Sequence, residues 1–399
     1  MSAFVPAAWL GWFIVVAASW MLRSRRYAIY RGVTIGLQVL VMGALVPYFS
    51  KLFPALVYLQ LAVFVGALVL VRPRLMPLAY RVLVSVPAAF FAAGALLAWP
   101  WAIAVAFGFT PHGAWLPFAL AAAGIVQSLT AREETRDLVA GDGQRVDGLK
   151  RHPPGSFRVE RPLRIVQLTD PHLGPFMSVA RLKRIAERAV ERSPDLIVLT
   201  GDFLTMESHG RPELLAAALA PLRSMTGRTF ACLGNHDHED LESVRYALGQ
   251  AGVRLLVDDA AVVDTPAGRV QLVGFDFVWR ERAAHLARVT ATHPRLAGVV
   301  RLLLLHDPGA FKHLPEGEGD LVLSGHTHGG QVGLLSLGLP FTAMRAFVSM
   351  PDHGLWARGV DRLYVHRGTG HYGFPLRLGV PAEESLISVH HPALVPAPA

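Results

Sequence analysis

The first 132 residues contain no aspartate and no glutamate, yet they hold long apolar runs and eight basic residues between Arg23 and Arg81. A soluble domain of that length could hardly dispense with carboxylates, so this part of the chain is expected in lipid. A spanning helix needs about 20 predominantly apolar residues. Five segments qualify, at roughly 3–22, 32–50, 54–71, 82–106 and 113–130. Trp9, Trp12, Trp20, Trp99 and Trp101 lie near segment ends, where interfacial anchoring favours tryptophan. The first segment does not read as a signal peptide, because no basic residue precedes it and no small-residue cleavage site follows.

Orientation follows from the basic residues in the short loops. Arg23, Arg25, Arg26 and Arg31 follow the first segment, and Lys51 alone follows the second. Arg72, Arg74 and Arg81 follow the third; the loop from Phe107 to His112 has none; Arg132 and Arg136 come after the last. The alternation places the N-terminus outside and the long C-terminal part in the cytoplasm. Four spans with the N-terminus inside would leave the C-terminal part on the same side.

Charge divides as unevenly as hydropathy. Residues 1–150 hold 12 basic and 5 acidic residues, whereas the rest hold 26 and 25, so seven of the eight net positive charges belong to the apolar portion. A nucleic-acid partner would need a cationic face on a folded domain, and none is expected here. Histidine splits the other way: His112 is the only one of 17 before residue 150. A single cysteine, Cys232, excludes an intrachain disulfide and reads as core, inside an apolar strand.

Residues 1–131 are therefore expected to form a polytopic region, 132–162 a polar tether ending in a Pro-Pro-Gly turn, 163–391 a folded domain outside the bilayer and 392–399 a Pro/Ala tail. From residue 163 apolar strands alternate with polar turns and helices. Strands are expected at 163–168, 195–199, 229–233, 299–305 and 320–323, a helix over 179–190, and hairpins over 261–276 and 354–367. Such a mixture is a layered α/β or α+β domain with helices covering its sheets.

Five of these apolar runs end in a polar set able to bind metal: Asp170-Pro-His172, Gly201-Asp202, Gly234-Asn235-His236-Asp237, His306-Asp307 and Gly325-His326-Thr-His328. Ligands in α/β sheets gather at the carboxyl ends of strands. Two Asp, one Asn and four His supply nitrogen and oxygen donors without thiolate, too many for one tetrahedral zinc and too hard for an iron–sulfur cluster. They suit two transition ions sharing a carboxylate, an arrangement that clamps the attacking and leaving oxygens of a phosphoryl displacement.

In their order D-x-H, G-D, G-N-H-D, H and G-H-x-H, these motifs resemble the calcineurin-like metallophosphoesterases over about 163–390. Leu304-Leu-His-Asp-Pro308, Leu323-Ser-Gly-His-Thr-His-Gly-Gly-Gln331 and Leu363-Tyr-Val-His-Arg-Gly368 are similar to a membrane-anchored bacterial branch. That branch includes simple phosphodiesterases and UDP-2,3-diacylglucosamine pyrophosphatases of lipid A synthesis. The resemblance implies a two-sheet β-sandwich flanked by helices; attached to the α-helical membrane region, it is expected from the loop charges to face the cytoplasm at the inner membrane. The resemblance also implies two divalent ions (Mn, Fe or Zn). Asp170, His172 and His328 would hold one, Asn235, His306 and His326 the other, and Asp202 would bridge both. A hydroxide between the ions would attack phosphorus, His236 would stabilise the transition state or protonate the leaving oxygen, and Asp237 would orient His236 or a ligand. Thr169 and Pro171 replace the family's usual Ser and Leu or Ile, at positions that supply no ligand.

The expected activity is hydrolysis of a phosphodiester or pyrophosphate on a phosphorylated, lipid-linked or nucleotide-linked substrate, with membrane lipids as surroundings. Its rivals are a broad phosphodiesterase on soluble substrates and a membrane sensor with a metal-binding domain. His209, His238 and His371 are candidate substrate contacts, and Arg367 and Arg377 candidate phosphate partners; solvated or structural roles compete for each. The apolar content of Leu334 to Met350 fits either core packing or a cap or membrane-dipping lip beside the ions.

Overall fold

The computed structural model describes residues 3–373 and 376–394, so residues 395–399 of the Pro/Ala tail lie outside it. The described residues fall into two compact units, Met1–Leu129 with Tyr372–Leu378, and Thr130–His371 with Gly379–Ala399.

In the first unit three helical runs are long and apolar enough to cross a membrane: Phe4–Leu22, Arg25–Val69 and Leu78–Leu97. The 45-residue run bends through a 3₁₀ turn at Val46–Leu52, where Phe49 leaves helical geometry beside Pro47. Gln38 and Gln60, buried on either side of that bend, exchange two amide hydrogen bonds of 2.9 and 3.1 Å, so neither polar group is stranded in an apolar environment. The expected 82–106 segment is not one helix. It breaks at Ala98 and resumes at Trp99–Ala106, because Pro100 lacks an N–H and its ring crowds the preceding turn. The last expected segment is a 13-residue helix, Leu116–Ser128. Arg377 falls in this unit, its backbone N–H donating to Ser128 Oγ at 2.7 Å.

The second unit carries strands β1 (Ala131–Val139), β2 (Val146–Arg151), β3 (Leu163–Leu168), β4 (Leu196–Leu199), β5 (Thr229–Ala231), β6 (Arg254–Leu255) and β7 (Asp259–Thr265). They are followed by β8 (Gly268–Gly274), β9 (Val300–Leu304), β10 (Leu321–Ser324), β11 (Gly354–Gly359), β12 (Asp361–Val365) and β13 (Ala382–His390). One sheet runs β1-β13-β3-β4-β5-β6 and the other β2-β11-β12-β10-β9-β8-β7. The expected helix forms over Val179–Glu191, capped by Ser178 Oγ, and both expected hairpins form, as β7–β8 and β11–β12.

Alternation of side chains along each strand explains the layering. Ile165, Leu196, Val198, Leu302, Leu304, Leu321, Leu323 and Ile387 fill one core between the sheets. Their neighbours Val166, Ile197 and Leu199 face helices 179–191, 212–219 and 241–250. On the far side Leu303, Leu305 and Val322 pack on the helix Arg282–Thr292.

The reading of 132–162 as a tether is corrected by two strands inside it. β1 pairs in parallel with β13, from Ala131 opposite Ala382 to Val139 opposite His390, and β2 pairs with β11. Both are edge strands with mostly solvent-facing side chains, so no apolar alternation marked them. Arg367 is likewise structural: buried, it forms ion pairs with Glu383 of β13 and Glu134 of β1.

Candidate metal centre

Each functional set sits where a strand stops. β3, β4 and β5 are parallel neighbours in one sheet, and β9 and β10 in the other, so their carboxyl ends deliver Asp170, Asp202, Asn235, His306 and His326 side by side. The tips are laced together by backbone bonds. Asp170 N–H donates to Gly201 O at 3.0 Å, His172 N–H to Asp202 O at 3.2 Å, and Gly325 N–H to His306 O at 3.0 Å. Gln167 joins the sheets, its amide donating to Thr200 Oγ and to Ser324 O, both at 3.0 Å.

Two groups of donors converge, Asp170 with His172 and His328, and Asp202 with His306 and His326. His328 Nε2 lies 3.4 Å from Asp170 Oδ1 and 3.2 Å from His172 Nε2. Asp202 Oδ2 lies 3.3 Å from His306 Nε2 and 3.7 Å from His172 Nε2, so it faces both groups. Asn235 Oδ1, the remaining expected donor, is buried without a hydrogen-bond partner. A buried amide oxygen left in that state costs about 1–3 kcal/mol, a cost removed when the atom ligates a cation. The donor set therefore fits two divalent ions.

The backbone is bent to make this possible. Asp170, His172, Asp202, His326 and His328 adopt φ of 49°, 45°, 58°, 69° and 51°, in the left-handed region that non-glycine residues rarely occupy. Such strain, roughly 1–3 kcal/mol per residue, persists only where the surroundings enforce it. Gly325 is one such enforcement point, since a Cβ there would lie 2.2 Å from Asp170 Oδ2 and from Thr169 Oγ1. Gly325→Ala is expected to lower stability by about 1–3 kcal/mol and to reduce metal content, read from the denaturation midpoint and elemental analysis of the purified protein.

Electrostatics divides the ligands. Burial lowers His172 to about 3 and His326 to about 4, so both are neutral at physiological pH, as coordination requires. Burial raises Asp170 to about 6. Burial would also raise Asp202, but His306, His172 and His236 outweigh it and hold its carboxyl well below the ordinary range. His306 moves up to about 10 as the Asp202 carboxylate overcomes burial; coordination of a cation would displace that proton. His306 Nδ1 faces Thr200 O at 2.5 Å, which turns Nε2 toward Asp202 in the manner of an oriented metal ligand.

His236 sits beside the groups, its ring 5.6 Å from that of His172. Its Nδ1 meets Glu239 Oε1 at 2.8 Å across the 3₁₀ turn Asp237–Glu239. Burial lowers His236, yet the Glu239 bond and the Asp202 charge outweigh it and the net shift is upward. Asp237 does something different from orienting that ring. Its carboxylate accepts the N–H groups of Asp202 at 2.8 Å, Phe203 at 2.8 Å and Gly234 at 2.7 Å, tying two strand tips together. Glu239 was not singled out from the sequence; its place three residues after His236 is a signal compatible with this contact but does not select it over Asp237. Phe277 was not either: its ring lies 6.1 Å from both His306 and His326, and nothing local in the sequence marks it. Of the other candidates, His238 pairs with Asp276 at 3.0 Å and His371 packs 4.9 Å from Phe176. Cys232 is fully buried and its thiol is raised by burial, as an inert core residue should be.

The family model for calcineurin-like phosphoesterases matches residues 163–330, the span that holds all of these donors. Phosphodiesterase YaeI of Escherichia coli (strain K12) is 31% identical over 235 residues, covering 57% of this chain and 82% of that protein. This chain belongs to the calcineurin-like phosphoesterase family. It is accordingly a metal-dependent hydrolase. Two further relatives are UDP-2,3-diacylglucosamine pyrophosphatase LpxG of Chlamydia trachomatis (serovar D) and a transmembrane protein with metallophosphoesterase domain from Danio rerio. The first is 28% identical over 57% of this chain and 83% of its own length, the second 33% identical over 55% and 52%. The phosphoesterase match leaves the apolar helical unit of Met1–Leu129 outside it.

Proposed function

We propose that this phosphoesterase is membrane-bound and hydrolyses a phosphodiester or pyrophosphate bond of a lipid-linked or nucleotide-linked substrate with two divalent cations. The observation that carries the reading is Asp202, whose carboxylate faces His172 at 3.7 Å and His306 at 3.3 Å. One carboxylate shared by two imidazole-bearing groups is what a dinuclear site needs and a mononuclear one does not. Asp170, His172 and His328 would hold one cation and Asn235, His306 and His326 the other, with Asp202 available to both. Bound there, the cations supply Lewis acidity and a nucleophile drawn from water at neutral pH. His236, held by Glu239, donates to the oxygen on which charge develops as the phosphorus–oxygen bond breaks. Asp237 keeps the Asp202 and Gly234 tips in register.

The helical runs and their loop charges favour an inner-membrane protein with this domain in the cytoplasm. Reporter fusions at residue 150 and in the 107–112 loop test the orientation; a cytoplasmic 107–112 loop with an external domain would overturn it. The names of the Escherichia coli and Chlamydia relatives support two substrate classes, simple phosphodiesters and UDP-2,3-diacylglucosamine. The deciding experiment is hydrolysis by the purified full-length protein in detergent with Mn²⁺. Fast release of UMP from the lipid with slow cleavage of bis(p-nitrophenyl) phosphate selects the pyrophosphatase. The reverse selects a phosphodiesterase. Removal of metal with EDTA is expected to lower either rate by at least about 100-fold, with recovery on adding Mn²⁺, Fe²⁺ or Zn²⁺. Full activity in metal-free protein would sink the reading.

A further inference from the structure

Directly after the metal loop Gly325–Gln331 the chain runs into a segment that exposes large apolar side chains. Leu337 is 74% exposed and Phe347 87% exposed, and Leu334, Leu339, Phe341 and Val348 are exposed as well. Solvent-facing loops are ordinarily polar, and so many large apolar groups over 15 residues make a surface in search of a partner. Residues 332–350 contain no carboxylate and one cation, Arg345. Much of the backbone is satisfied by protein carbonyls: the N–H groups of Leu334, Leu337, Leu339, Phe341, Ala343 and Val348 donate within the segment, at 2.8–3.3 Å, and that of Ser336 donates to Gly379 O at 2.9 Å. A loop built for water has no need of that closure, whereas one entering an apolar phase must satisfy its backbone internally.

The segment is also built onto the metal loop. A Cβ on Gly330, at φ +70°, would lie 2.7 Å from Met344 Cβ. Thr342 Oγ donates to buried Asp352 Oδ2 at 2.7 Å, and the backbone carbonyl of Asp352 accepts Thr327 Oγ, between His326 and His328, at 2.6 Å. Arg151 of β2 holds the other Asp352 oxygen at 2.7 Å. Whatever seats the segment therefore seats the metal loop with it.

We propose that residues 334–348 form a lip that sits in the headgroup and upper acyl layer of a lipid bilayer and presents the metal centre to phosphoesters carried by lipids. The same chain carries helices of membrane-spanning length, so a bilayer is at hand. The absence of carboxylates and the presence of Arg345 suit an anionic lipid surface. The lip deepens the phosphoesterase reading by assigning where its substrate comes from, and it rests on that reading only for its activity test.

The test uses the full-length protein in vesicles of phosphatidylethanolamine and phosphatidylglycerol. Phe347→Cys is labelled with an NBD fluorophore, Cys232 being buried. Doxyl-labelled lipid is expected to quench this label at least about threefold more than one at Arg269→Cys on the polar β7–β8 hairpin. Equal quenching at the two positions overturns the proposal, and so does energy transfer between labels at 347 without lipid quenching, which would make a second copy the occupant. In a second arm, Leu337→Ser with Phe347→Ser is expected to slow hydrolysis of vesicle-borne hexadecyl p-nitrophenyl phosphate about tenfold and to leave soluble bis(p-nitrophenyl) phosphate unaffected. Equal losses on both substrates would make the segment structural and refute the lip. If the parent protein cleaves neither ester and releases no UMP from UDP-2,3-diacylglucosamine, the phosphoesterase reading fails, and quenching still decides insertion.

Discussion

Asp202→Asn is expected to lower hydrolysis of bis(p-nitrophenyl) phosphate by about 10³-fold or more, some 4 kcal/mol on the barrier, and to bring bound metal from two per chain to one or fewer. Asparagine preserves the volume and one oxygen for His236 N–H, which donates to Asp202 Oδ1 at 2.8 Å. It also preserves the backbone, because Asp237 holds the residue through its N–H. What it removes is the negative charge facing His172 and His306, the only carboxylate within 4 Å of imidazoles from both groups among the described residues. The variant should therefore fold as the parent does, with a denaturation midpoint within a few degrees. Elemental analysis beside turnover separates the outcomes: two metals and near-parental rates in the variant would remove Asp202 from the centre of the mechanism.

His236→Ala is expected to cost about 10²–10⁴-fold in turnover with metal content unchanged, because His236 belongs to neither donor group. Glu239→Gln should cost less, about 10–100-fold, since it weakens the 2.8 Å bond that orients the ring without removing the ring. This pair also separates an enzyme from a membrane sensor. A domain that only binds metal and reports it would tolerate both substitutions, and unchanged turnover in His236→Ala would contradict a proton-donating role.

How much of this was written locally in the chain can be argued residue by residue. The carboxylate-free first third, the strand–turn–helix grain after residue 163 and the polar sets at strand ends all depend on neighbours a few positions apart. Apolar alternation and turn residues are local signals, so β3, β4, β9, β10, both hairpins and the helix over Val179–Glu191 could be read from them. The break at Pro100 was also local, and hydropathy averaging hid it.

Pairing across the fold was beyond such reading. β1 and β2 look like tether because their side chains mostly meet solvent, and their only reason to be strands is a partner far away: Ala382 for Ala131, Trp356 for Arg151. The amino-acid sequence alone determined which residues could hold metal and in what order they arrive. Only the tertiary structure decided that Asp202 faces both groups, that Asp237 clamps backbone while Glu239 takes the His236 ring, and that the segment after the metal loop is exposed. The reason is physical: residue type sets what a side chain can bind, whereas the distance between side chains on separate strands is set by how two sheets stack, and that depends on the whole core at once.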